Sequence, residues 1–124
     1  MTWTVTFCDE FALEYEALNH AVQDELLAQL IVLEQFGPSL GRPQVDTLKD
    51  SKHANMKELR FSADHGVWRV AFAFDPKRAA IALVAGDKSG ASQRRFYEHL
   101  IRNANKRLDR HLASPKEGNN VQDT

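Results

Sequence analysis

The sequence predicts an α+β domain: an N-terminal strand, a helical hairpin, an antiparallel three-strand meander and a C-terminal helix. Two periodicities carry this prediction. Residues 10–36 repeat apolar side chains every three or four positions, which is the spacing of one face of a helix. Residues 56–85 fall into three β-rich runs joined by short turns, and turns this short require antiparallel neighbours.

The first elements follow from local pattern. Residues 2–7 alternate polar and apolar β-forming residues, which predicts a strand. The helical stripe can divide at residues 18–20 into the two arms of a hairpin, and the Gly-Pro pair at 37–38 ends it. Residues 37–55 are rich in Gly, Pro, Ser and Asn and predict a long loop with an extended piece near Leu48.

Three strands and a helix complete the chain. The strands are residues 56–62, 67–74 and 79–85, and the almost wholly apolar third run indicates a central or doubly covered position. Residues 92–112 form the last helix. Its apolar face repeats at four-residue spacing, with Phe96, Leu100, Ala104, Leu108 and Leu112. A different face is basic, with Arg95, Arg102, Lys106 and Arg110.

Composition narrows the class of protein. We assign residues 1–113 of the 124 to one domain and residues 114–124 to a polar flexible tail. No apolar run approaches the roughly 20 residues of a membrane span. The first residues also lack the basic segment that precedes the apolar segment of a secretory signal, so we expect a cytoplasmic protein. One cysteine, Cys8, and five scattered histidines give no metal-ligand spacing, so we expect neither a metal nor a cofactor.

The net charge of −1 conceals two oppositely charged halves. Residues 1–50 contain nine acidic and two basic residues, whereas residues 51–113 contain thirteen basic and six acidic ones. Such asymmetry suggests an anionic partner. The alternative is that folding interleaves the two halves and cancels the field.

The basic residues of the meander are spaced so that they can lie together on one face of the sheet. Arg60, Arg69 and Lys88 can meet on one sheet face if the three strands pair consecutively. Such a face suits RNA cleavage by the internal 2′-hydroxyl, which needs a base, a cation at the phosphate and an acid at the leaving oxygen. The alternative is structural: Arg60 and Arg69 pair with Glu58 or Asp64 as solvated strand charges.

The run FGPSLGRPQVDTLKDSKHANMKELRF (residues 36–61) resembles the middle of the RelE/HigB superfamily of type II toxins, especially its phage-derived HigB-like branch. Residues 67–74 resemble the family's tyrosine-arginine-valine strand, with Trp68 at the tyrosine position, and residues 79–88 resemble its last strand. The resemblance covers roughly residues 3–112. It implies a RelE-like fold and a ribosome-dependent mRNA endonuclease, an mRNA interferase that enters the ribosomal A site and inhibits translation. It also implies a cognate helix-turn-helix antitoxin that neutralises the toxin in a hetero-oligomer.

The resemblance implies roles for individual residues. Arg69 matches the arginine that contacts the transition-state phosphate, and Lys88 matches the basic residue after the last strand. Tyr97 matches a C-terminal tyrosine that acts near the 2′-hydroxyl. Arg60 lies in the Glu-Leu-Arg element and is either structural or catalytic.

The general base stays open among Lys57, His53, Tyr97 and His99. Lys57 and His53 both match a basic residue that precedes the meander in the family. Ribosome binding is largely driven by phosphates, so a near-neutral chain must concentrate its cations on one surface. We expect the last helix to supply RNA-binding cations, namely Arg94, Arg95, Arg102 and Lys106.

A second function remains open beside the nuclease. The same superfamily includes ParE-like inhibitors of DNA gyrase, which work without a nuclease site, and an inactive phage-derived remnant would act only as a binding module. In either case we expect the acidic first half to lie away from RNA and to contribute to antitoxin binding or self-association.

Overall fold

The computed structural model describes residues 2–90, 92–113 and, as backbone, 119–120. It contains six strands, three α-helices and one 3-10 turn within those residues. In chain order they are β1 (Thr4–Phe7), α1 (Asp9–Ala17), α2 (His20–Phe36), the 3-10 turn (Gly37–Ser39), β2 (Val45–Thr47), β3 (Met56–Ala63), β4 (Gly66–Phe74), β5 (Ala79–Asp87), α3 (Gln93–Ala113) and β6 (Asn119–Asn120).

The strands form one mixed sheet in the order β2-β3-β4-β5-β1-β6. The predicted meander is confirmed, because β3, β4 and β5 pair antiparallel in succession. The third of these strands, β5, is central, as its apolar composition indicates, because β1 pairs in parallel with the edge of β5 that faces away from β4. The extended piece predicted near Leu48 is β2, which pairs with β3. The predicted tail lies outside the described residues, except for β6, which pairs with β1.

The helical hairpin covers one face of the sheet. Its break falls at Leu18 and Asn19, where the Asn19 side chain accepts a hydrogen bond from the Val22 N–H and caps α2. The predicted apolar stripe is buried, with Phe11, Val22, Leu26, Leu30 and Leu33 almost inaccessible. On the sheet, strand alternation points Leu59 and Phe72 toward this hairpin.

The C-terminal helix α3 covers the opposite face. Its packing is close, because a Cβ added at Gly86 of β5 would come within 2.8 Å of the Phe96 ring. Leu100, Ala104 and Leu108 are buried as predicted, but the expectation that Leu112 continues this face is wrong. Leu112 is 56% exposed, because it lies in the last turn of the helix, beyond the part that α3 lays against the sheet.

Two features fix the edges of this arrangement. The turn predicted between β3 and β4 is confirmed, with Asp64 and His65 both at positive φ, as a two-residue hairpin turn requires. Arg107 of α3 donates to the Leu83 carbonyl at 2.8 Å and to Glu14 of α1, which ties the two helical layers together. None of the described helices is long and apolar enough to cross a membrane.

Candidate active site

The register of the meander brings the predicted cations onto one face. Arg60 of β3 lies directly opposite Arg69 of β4, and Arg69 lies opposite Gly86 of β5. Lys88 follows Gly86 by two residues and therefore has the same parity. This is the face that α3 covers, so the side chains meet at the start of that helix, beside Tyr97.

Glu58 is the centre of the cluster. It is only 3% exposed, and it lies two residues before Arg60 on the same face. Its Oε2 accepts hydrogen bonds from Arg60 Nη2 at 2.9 Å and Nε at 3.2 Å. Its Oε1 accepts from the Tyr97 hydroxyl at 2.7 Å and lies 3.6 Å from Arg69 Nε. A buried carboxylate with these partners is fully compensated, as burial of a charge requires.

Tyr97 bridges the acid and the arginine. Its hydroxyl oxygen accepts from Arg69 Nε at 3.3 Å while its proton points to Glu58. Burial, and secondly the hydrogen bond to Glu58, raise the pKa of Tyr97 above its ordinary value. Lys88 Nζ lies 5.9 Å from the centre of the Tyr97 ring, within cation–π range. The phenol is therefore held neutral between two cations and one carboxylate.

The structural alternative for the two arginines is correct in part. Both pair with Glu58, but the pairing is buried rather than solvated, since the Arg69 side chain is only 13% exposed. Asp64 has a different role, because it accepts a hydrogen bond from Asn19 at 2.7 Å.

Glu58 is the site residue that sequence reasoning did not select. The signal for Glu58 in the sequence is its strand parity, which places it on the same face as Arg60. A charged residue on a face that a helix covers needs a partner.

Asp46 extends the cluster toward the sheet edge. Its Oδ2 lies 3.3 Å from Arg60 Nη2 and 3.1 Å from Arg42 Nη2. The hydrogen bond from the Thr47 N–H, followed by that from Arg42, lowers the pKa of this carboxyl. Arg60 is thus shared between two carboxylates, whereas Glu58 is the carboxylate paired with Arg69.

Two of the predicted catalytic residues lie elsewhere. Lys57 has the opposite strand parity to Glu58, which places it on the hairpin face, where its Nζ donates to Thr47 Oγ1 at 3.2 Å. His53 bonds to Asp109 at 2.9 Å, near the far end of α3. Asp109 lies twelve positions after Tyr97 in the same helix, a rise of about 18 Å. The structure therefore brings together Arg60, Arg69, Lys88 and Tyr97 but neither Lys57 nor His53.

A cleft of about 900 Å³ opens beside the cluster, between β2 with the loop after it and the first half of α3. We refer to it as the β2–α3 cleft. Glu58, Arg60 and Tyr97 form part of its wall. Of the four cations predicted to bind RNA, Arg94 and Arg102 line it, whereas Arg95 and Lys106 are exposed elsewhere on the helix. Among the described residues, no group of three or more His, Cys, Asp or Glu side chains is gathered as metal ligands.

Residues 14–109 match the family described as "Phage derived protein Gp49-like (DUF891)". The chain belongs to this family. It is 44% identical over 102 residues to "Putative toxin HigB3" of Mycobacterium tuberculosis strain H37Rv, covering 82% of this chain and 87% of that protein. It is 43% identical over 97 residues to "Putative toxin HigB2" of the same strain, covering 77% of this chain but only 48% of that protein.

A solved structure supports the same assignment at the level of the fold. The free state of a double mutant of the E. coli toxin RelE superposes with a TM-score of 0.60 at 13% identity, covering 87% of this chain and 99% of RelE. Together with the family match, this confirms the RelE/HigB superfamily and its phage-derived branch, as predicted from residues 36–61.

Proposed function

We propose that this Gp49-like protein is a type II toxin that cleaves mRNA on the ribosome. The observation that carries the proposal is the convergence of Arg69, Lys88, Tyr97 and Glu58 on one sheet face. These groups supply two cations, a neutral phenol and a carboxylate. Hydrogen bonds through the Tyr97 hydroxyl link Arg69 and Glu58, and Lys88 Nζ lies 5.9 Å from the centre of the Tyr97 ring. RNA cleavage by its own 2′-hydroxyl needs those kinds of group.

The step we propose is an internal transfer. The 2′-oxygen attacks the adjacent phosphorus, and the bond from phosphorus to the 5′-oxygen of the next nucleotide breaks. Tyr97 accepts the 2′-hydroxyl proton as it passes its own proton to Glu58, which lies 2.7 Å away. This route suits a phenol whose pKa is raised, because Tyr97 never becomes a free phenolate.

The two cations divide the remaining work in this proposal. Arg69 exchanges its hydrogen bond with Tyr97 for the non-bridging phosphate oxygens and stabilises the charge that develops there. Lys88 gives a proton to the departing 5′-oxygen. The products are a 2′,3′-cyclic phosphate and a free 5′-hydroxyl, and the charge stabilisation comes from side chains. Glu58 replaces Lys57 and His53 as our candidate for the final proton acceptor.

We test the activity by inducing the gene in a bacterial host and mapping mRNA 5′ ends by primer extension. The same reporter transcript is compared with an intact and with a destroyed start codon, so that only one version is translated. The proposal expects new ends within the translated version alone. Unaltered transcripts together with continuing translation would reject it.

Variants at the two ends of β5 sharpen the test. Lys88→Ala removes the cation beside Tyr97, and Lys77→Ala removes a matched lysine from the exposed turn at the other end of the strand. Equal cleavage by Lys88→Ala and Lys77→Ala would remove Lys88 from the mechanism.

Arg69→Ala should reduce cleavage by about 10²–10³, the usual loss for a donor that stabilises a transition-state charge.

The partner we propose is a small helix-turn-helix antitoxin that inhibits the toxin in a hetero-oligomer. If such a protein is encoded by a neighbouring gene, its co-expression should restore growth and co-purify with this chain. The competing hypothesis is inhibition of DNA gyrase, and a gyrase supercoiling assay distinguishes it from mRNA cleavage. Inhibited supercoiling with intact mRNA would favour that function over the nuclease.

A further inference from the structure

The β2–α3 cleft has cations at its rim that the fold does not use. Lys49 follows β2, and Arg102 lies on α3, and both line the cleft. Within the described part of the chain, neither makes an ion pair or a side-chain hydrogen bond, whereas Arg60, Arg69 and Arg107 are all paired. Two exposed cations on the lining of one cleft attract an anion.

The interior of the cleft is not simply basic. The half-buried side chains of Ile101 and Tyr97 give it apolar and aromatic surface, and the buried Leu48 lies behind its lining. Asp50 and Asn105 add an acceptor and an amide whose oxygen already accepts from Ser51 Oγ at 2.7 Å, which leaves its N–H donors free. Apolar and aromatic surface with donors and acceptors at its edge fits a heterocyclic base better than it fits a simple anion.

The position of the cleft selects the ligand. It shares Glu58 and Tyr97 with the candidate active site, and Arg102 lies five residues beyond Tyr97 on the same helix. A strand whose phosphate lies at Arg69 can therefore continue into the cleft without leaving the protein surface. An acidic peptide would meet the rim cations but would have no use for the surface of Ile101 and Tyr97.

We infer that the β2–α3 cleft binds a nucleotide of single-stranded RNA next to the scissile phosphate. The base lies against the surface of Ile101 and Tyr97, and its backbone phosphate pairs with Lys49 and Arg102. This inference rests on the proposed nuclease function and assigns it a substrate subsite. It also divides the cations of α3, since Arg102 contacts the nucleotide while Lys106, outside the cleft, does not.

The test measures binding without cleavage. The probe is a fluorescent oligoribonucleotide with 2′-O-methyl groups, which lacks the attacking hydroxyl, and its affinity is read by anisotropy at several salt concentrations. The variant Lys49→Glu with Arg102→Glu is compared with Lys77→Glu plus Lys106→Glu, which changes the net charge equally outside the cleft. All four side chains are exposed, and circular dichroism checks that both double variants fold.

The cleft variant should bind at least about tenfold more weakly than the control, and its slope of log affinity against log salt should be shallower by about 0.7, the value for one phosphate contact on a single strand. Equal weakening in both variants, or no binding by the wild-type protein, would overturn the inference. The two proposals fail separately. Cleavage of translated mRNA with an unaffected cleft variant removes the subsite alone. Binding through the cleft with intact mRNA removes the nuclease and leaves the cleft as an RNA-binding site with no scissile phosphate beside it.

Discussion

The two faces of the sheet are built from the same three strands by alternation, yet they hold opposite chemistry. On the hairpin face, Leu59, Val70 and Phe72 are buried against α1 and α2. On the α3 face, the neighbouring positions carry Glu58, Arg60 and Arg69. One residue of register therefore separates a hydrophobic core from a charged cluster.

The two faces also differ in how they are stabilised, which explains why the charged cluster of Glu58, Arg60 and Arg69 is tolerated in a buried position. An apolar face is stabilised by the area that it removes from water, and its side chains need no specific partner. The charged face must satisfy each group, and it does so through Tyr97 from α3 and Asp46 from β2. Its apolar support comes from the second half of α3, where Leu100, Ala104 and Leu108 are buried. The hairpin face thus carries stability, and the first half of the α3 face carries the candidate chemistry.

Phe72→Ala tests the hairpin face and should have the largest effect on stability. Phe72 is 1% exposed, and its ring packs edge-on against Phe74 at 5.4 Å. The truncation leaves a cavity and should lower the free energy of unfolding by about 3–5 kcal/mol. Urea denaturation followed by circular dichroism measures it. A loss below about 1 kcal/mol, as expected of a surface site, would contradict the assignment of this face as the core.

Glu58→Ala tests the charged face and should cost somewhat less. It leaves Arg69 buried without its carboxylate, and breaking a buried ion pair costs about 3–5 kcal/mol. We expect the lower end of that range, because Arg60 keeps Asp46 and is a third exposed to water. Denaturation curves recorded beside those of Phe72→Ala give the comparison.

Glu58→Gln separates the fold from the chemistry at the same position. The amide keeps an acceptor for Tyr97 but no longer takes up a proton. Mapping of mRNA ends should therefore show a loss of cleavage of about 10²–10⁴, the usual contribution of a general base. Cleavage at the wild-type rate in a folded Glu58→Gln protein would leave Glu58 with a structural role alone.

Tyr97→Phe removes one hydroxyl from the cluster and should have a moderate effect. At neutral pH we expect a loss of about 0.5–1.5 kcal/mol, the net value of a hydrogen bond. The pKa of Tyr97 is raised, first by burial, so above about pH 10 the folded protein retains a proton that the unfolded chain has released. The free energy of unfolding of the wild type therefore falls as the pH rises through that window, and Tyr97→Phe should lose part of this decline.

Tyr15→Phe is the matched control for this measurement. Burial also raises the pKa of Tyr15, but this residue lies in α1, on the hairpin side of the sheet. Its substitution should change the alkaline limb of stability without changing cleavage. Cleavage that falls equally in the two variants would show that the loss follows stability and not the hydroxyl of Tyr97.

The sequence permitted the hairpin face to be predicted more fully than the α3 face. The stripe from Phe11 to Leu33 and the alternation of β3 and β4 are local signals, and burial follows from them directly. The shared face of Arg60, Arg69 and Lys88 also follows from a local signal, strand parity, once the strands are taken to pair consecutively. The contact of Tyr97 with Glu58 and the separation of His53 from Tyr97 depend on where α3 lies across the sheet, and no periodicity encodes that placement.

Leu112→Ser tests the limit of the apolar face of α3 and should have the smallest effect. Periodicity assigns Leu112 to the same stripe as Leu108, but the structure leaves it 56% exposed while Leu108 is 2% exposed. We therefore expect Leu112→Ser to change the free energy of unfolding by no more than about 0.5 kcal/mol, whereas Leu108→Ala should cost about 2–5 kcal/mol. Urea denaturation of both variants makes the comparison. A loss at Leu112 that approaches the loss at Leu108 would mean that the buried part of α3 extends through its last turn, and the apolar support of the charged face would then be longer by one turn of helix.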